Sequence, residues 1–113
     1  MEFNKKRRPS PQEERLLEIL IEKASKAFPF DWNVGLLVQT MEDGGMGSLH
    51  LFPSGIINED RLFGEQISEH QFADEDGIDV IASLNIDGKG YLLELDIWKT
   101  DFSPLIKIPE MLE

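Results

Sequence analysis

Residues 78–98 constrain this chain more than any other stretch, because two segments of alternating apolar and polar residues flank Asp87-Gly88-Lys89-Gly90. Alternation with a period of two marks a strand with one buried face, and a glycine-rich break between two such runs reads as a hairpin. With those four residues as the loop, Ile86 faces Tyr91, Leu84 faces Leu93, Ala82 faces Leu95 and Val80 faces Ile97 on the core side. The other side then carries Asn85 with Leu92, Ser83 with Glu94, Ile81 with Asp96, and Asp79 with Trp98. A slip of one residue would exchange the faces and bury three carboxylates, so the pattern protects its own register.

A two-stranded hairpin is not stable alone, and its apolar face needs a cover. Ser10-Pro11-Gln12-Glu13 has the form of a capping box with proline at the first helical position. Leu16, Leu17, Leu20, Ile21, Ala24 and Phe28 follow at three- and four-residue spacing, which predicts an amphipathic helix. It should end near Ala27, because Pro29 disfavours helical geometry at Phe28. Val34 to Gln39, Ser48 to Phe52 and Arg61 to Glu69 read as further strands. The glycines of Asp43-Gly44-Gly45-Met46-Gly47-Ser48 join the first two of these, permitting positive φ or close approach of another backbone. Thr100 to Pro109, with two prolines and several large apolar residues, reads as an extended strap over the core. The expected architecture is a single α+β domain over residues 10–113, its N-terminal helix packed on a largely antiparallel sheet of four to five strands, after a flexible basic terminus at 1–9.

Charge narrows the function classes. The formal net charge is -11, and it is uneven: residues 1–26 carry seven Lys/Arg against five Asp/Glu, residues 27–113 four against seventeen. The sheet part is therefore the acidic part, and such a surface repels phosphate backbones and attracts a basic partner. The run Lys5-Lys6-Arg7-Arg8 is too short to reverse this and reads as a solvated end. Neither nucleic acid nor membrane is an expected partner: the longest apolar-rich stretches, Leu16 to Ile21 and Val34 to Val38, fall far short of the roughly 20 residues of a span. No signal-type apolar run follows the basic start. Cysteine is absent, which removes disulfides and thiolate chemistry, and a cytoplasmic location is expected.

Several segments resemble chemical motifs in part. Asp74-Glu75-Asp76-Gly77-Ile78-Asp79 has the composition of a calcium loop, but Gly77 stands fourth and Asn85 twelfth where an EF-hand wants glycine sixth and glutamate twelfth. His50 and His70 lie in different elements, Ser48 is outside any nucleophile elbow, and the glycine loop lacks the Lys-Ser/Thr ending of a phosphate cradle. No cofactor is expected. The best-supported expectation is a non-enzymatic protein-binding module using Asp79, Glu94, Asp96 and Trp98, with Met46 at the tip of the glycine loop as a second contact. The alternative is a metal-assisted hydrolase with Asp74, Asp76, Asp79, Glu94 and Asp96 as oxygen ligands.

Taken together, Asp43-Gly44-Gly45-Met46-Gly47-Ser48, Phe72 to Gly77, Ser83 to Asp87 and Glu94 to Leu105 resemble a family of small uncharacterised bacterial proteins, over residues 8–109. That resemblance implies no activity and transfers no functional residue. In size and acidity the chain is also similar to the immunity proteins that accompany polymorphic toxins, which implies binding without catalysis.

Overall fold

The computed structural model describes residues 5–56 and 60–110, which form one helix and five strands. Helix α1 (Pro11–Lys23) starts as the sequence predicts: the Glu13 amide donates to the Ser10 hydroxyl, and the Ser10 amide donates to the Glu13 carboxylate. It ends earlier than the periodicity suggests. Ala24 is already extended, and the Ser25 amide donates to the Ile67 carbonyl at 2.9 Å, so the chain leaves the helix to meet the sheet. Ala24 and Phe28 still pack against the core, from outside the helix.

Strands β1 (Leu37–Thr40), β2 (Leu49–Phe52), β3 (Phe63–Ala73), β4 (Asp79–Asp87) and β5 (Leu92–Lys99) form one antiparallel sheet in the order β1-β2-β5-β4-β3. β1 begins later than expected because residues 30–35 are turns, which leaves Val34 exposed rather than in a buried strand. β3 instead runs on past Glu69 to Ala73, pairing with β4 along its length. Within the segment read as a flexible basic terminus, Arg7 is tied to the fold. Its backbone exchanges two hydrogen bonds with Val38, and its guanidinium holds Glu13 at 2.8 and 3.0 Å.

Leu16, Leu17 and Leu20 of α1 lie on one face of the sheet, in a core with Val38, Leu49, Leu51, Val80, Ala82, Leu84, Leu95 and Ile97. Each of these leucine, isoleucine and valine side chains contributes on the order of 2 kcal/mol by leaving water. Among the described residues, no helix covers the opposite face. That face presents Ile81, Ser83 and Asn85 of β4 beside Trp98, Asp96 and Glu94 of β5.

The register of β4 against β5 differs from the expected one by two residues, and two local features produce the shift. The Asp87 amide donates to the Tyr91 carbonyl, closing a three-residue loop instead of four, and the Asp87 carboxylate accepts the Lys89 and Tyr91 amides. A bulge beyond Ile86–Leu92 then adds the second residue. The loop flips Tyr91 out of the core and puts Leu92 in; the bulge flips the strand back, so Glu94, Asp96 and Trp98 keep the face expected of them. Leu93 is correspondingly only partly buried.

Candidate functional site

Two sets of acidic residues come out on opposite sides of the sheet. Asp74, after β3, is buried on the helix side beside Lys99, which is 1% exposed. The Lys99 ammonium lies 2.9 Å from Asp74 and 2.7 Å from Asp76. Asp74 also accepts the amides of Glu75, Ile106 and Lys107, so one carboxylate fastens the start of the β3–β4 turn, the end of β5 and the C-terminal strap. Burial alone would raise its carboxyl, but those amides and the ammonium outweigh it and bring the pKa down to about 2. The segment that resembles a calcium loop therefore encloses a lysine of its own chain. The five carboxylates of the hydrolase alternative do not converge: Asp74 and Asp76 hold Lys99, while Glu94 and Asp96 project from the other face. Among the described residues, no three His, Asp or Glu side chains are placed to hold a metal ion.

Met46 is not the exposed tip that its glycine neighbours suggest. Asp43 accepts the amides of Met46 and Ser48, and the loop folds against β5, where the Met46 sulfur accepts the Lys99 amide at 3.4 Å. The Ser48 hydroxyl is engaged with the Ile97 backbone, at 2.8 Å to its amide and 3.2 Å to its carbonyl. Gly47 lies at φ 91°, and a Cβ there would meet the Leu105 side chain at 3.0 Å. The loop is thus a seat for the strap, and the Leu105 amide donates to the Gly45 carbonyl. Close approach to the strap explains Gly45 and Gly47, and the positive φ of 75° explains Gly44, without a phosphate.

The open face holds the remaining predicted residues. Glu94 and Asp96 are half-buried, and the single amide nitrogen of Asn85 donates to both, at 3.1 and 3.0 Å. Burial and then the Glu94 charge push the Asp96 carboxyl above its ordinary range, with the Asn85 amide drawing it partly back. Trp98 is 43% exposed and faces Ile81 across the strand pair. Asp79 is on the same side but displaced by the register shift; its carbonyl accepts the Thr100 amide at the rim. The strap does not cover Trp98. Phe102 reaches it from the side, with ring centroids 5.7 Å apart and planes tilted by 52°. Phe102 is 72% exposed and takes φ 64°, a left-handed conformation that a bulky side chain rarely adopts. Phe102 was not among the expected site residues; the sequence places it only within the strap from Thr100 to Pro109.

Arg61 is another residue that sequence reasoning passed over. β2 pairs with β5 only at Leu49–Leu95 and His50–Glu94, and beyond this the strands part. The Arg61 guanidinium fills the wedge, donating to the carbonyls of Leu51 and Leu92 and to Asp87. Nearby, a groove of about 500 Å³ is lined by apolar side chains including Phe28, Trp32, Val34 and Tyr91. It lies at the hairpin end and contains none of the predicted binding residues.

A family model described as a domain of unknown function (DUF6984) matches residues 6–109. The chain belongs to this family. Neither a curated protein nor a solved structure matches it. Family membership accounts for nearly the whole chain as one unit and leaves its activity to be read from the site. Among the described residues, no helix is long and apolar enough to cross a membrane.

Proposed function

We propose that the protein is a non-enzymatic binding module whose open sheet face takes a basic protein. The observation that carries this reading is the Trp98–Phe102 pair, two exposed aromatic rings beside half-buried carboxylates, with the Phe102 backbone held in a strained conformation. Strain at an exposed aromatic is maintained against a gain in stability, which fits a surface kept for contact. Aromatic anchors flanked by charge supply the desolvated centre and the steering rim of protein interfaces. The net charge of -11 favours a basic partner. Neutralisation of a basic toxin, such as a nuclease, is one form this binding takes, and we place it in the cytoplasm.

The test is affinity capture of tagged protein from its native host, repeated with Trp98→Ala and Asp96→Lys. A stoichiometric basic protein should be retained by the parent and lost, by roughly a hundredfold in affinity, from both variants with their folds intact. Equal retention by parent and variants would remove this face from the reading.

A further inference from the structure

Three other carboxylates drawn into the structure each have a cation from the same chain. Asp74 has Lys99 at 2.9 Å, Asp87 has Arg61 at 3.1 Å and Glu13 has Arg7 at 2.8 Å. In all three, burial is outweighed and the carboxyl is held below its ordinary range. Glu94 and Asp96 depart from this pattern. Among the described residues no lysine or arginine pairs with either, and the charges acting on Asp96 from its surroundings are Glu94 and Asp43, opposed by His50. Their shared donor is Asn85, which is 4% exposed and directs one amide nitrogen between them. The carbonyl oxygen of that same side chain is buried with no donor. Two carboxylates thus share a single NH₂ group on the open face, a local deficit of both positive charge and hydrogen-bond donors, and the Asn85 side chain that supplies it is itself only half satisfied.

We infer that this niche is the seat of an arginine side chain from the bound protein. The inference rests on the open-face reading above and names its anchor. A guanidinium is planar, permanently charged and carries five N–H donors, so it can bridge both carboxylates at once. A lysine ammonium has a compact, strongly hydrated charge and bridges two neighbouring carboxylates less well. Trp98 lies two residues along the same strand face and offers a partly exposed ring on which a guanidinium or its alkyl stem can stack. A divalent ion is a poorer occupant, because no third acidic or histidine ligand is placed to complete its shell among the described residues.

The experiment is a titration of ¹⁵N-labelled protein with N-acetyl-arginine methylamide, and in parallel with the lysine analogue, at one ionic strength. Saturable shifts are expected at the Asn85 side-chain NH₂, the Trp98 indole N–H and the backbone of 94–96. The arginine compound should bind about tenfold more tightly than the lysine compound. Asp96→Asn should abolish these shifts while leaving the melting temperature equal to or above the parent's, since it removes a carboxylate that Glu94 already opposes. That outcome separates a binding role from a structural one. Shifts that fall elsewhere, equal affinity for the two compounds, or unaltered binding by Asp96→Asn would overturn the inference. If the niche takes arginine while capture of a partner is insensitive to Trp98→Ala and Asp96→Lys, the niche stands and the open-face reading fails. If capture depends on Trp98 but free arginine never reaches Asn85, the reverse holds.

Discussion

Phe102 occupies a backbone conformation that glycine would adopt freely, and such strain at a bulky residue amounts to about 1 to 3 kcal/mol. Its ring contact with Trp98 returns only about 1 kcal/mol. Phe102→Gly should therefore keep stability within about 1 kcal/mol of the parent in urea unfolding, while partner capture weakens. Asp74 shows the opposite balance. Removing its carboxylate leaves the Lys99 charge enclosed and three amides without an acceptor, so Asp74→Ala should lower unfolding free energy by roughly 3 kcal/mol or more. The same group sets an acid limit. Its folded pKa of about 2 lies below the value near 3.9 of an unfolded aspartate, so its stabilisation is complete above that range. It is lost as pH falls from about 4 through about 2, which acid unfolding of the parent should show and Asp74→Ala should not.

At the scale of elements, the gap between β2 and β5 is closed by a side chain in place of a backbone ladder. Arg61→Met should leave the carbonyls of Leu51 and Leu92 without their donor and Asp87 without its cation, lowering stability by about 3 kcal/mol in denaturant titration. No sequence pattern announces such a wedge, because it depends on where two strands diverge. The hairpin itself was legible through the alternation of 78–98, although its register was not. A three-residue loop and a compensating bulge each moved the pairing by one, and the two faces survived because the shifts summed to an even number. Helix α1 was legible at its capped start but not at its end, where the Ser25–Ile67 hydrogen bond overrides the continuing apolar period.

For the whole molecule, an open acidic face should attract a basic partner from a distance. The association rate with any captured basic protein should fall by an order of magnitude or more as ionic strength rises from about 0.01 to about 0.15 M, measured by stopped flow. Local patterning by itself determined the α+β class, the helix start, the central hairpin and the overall acidity, because capping, periodicity and charge are properties of neighbouring residues. Tertiary structure alone decided which carboxylates are neutralised. Asp74 and Asp76 met Lys99 across the core face, whereas Glu94 and Asp96 came to share the Asn85 amide on the open one. Met46 likewise turned inward, and Phe102 emerged beside Trp98, when the strap settled on the glycine loop. These outcomes depend on contacts between segments far apart in the chain, and the energy of a charge is set by what surrounds it after folding.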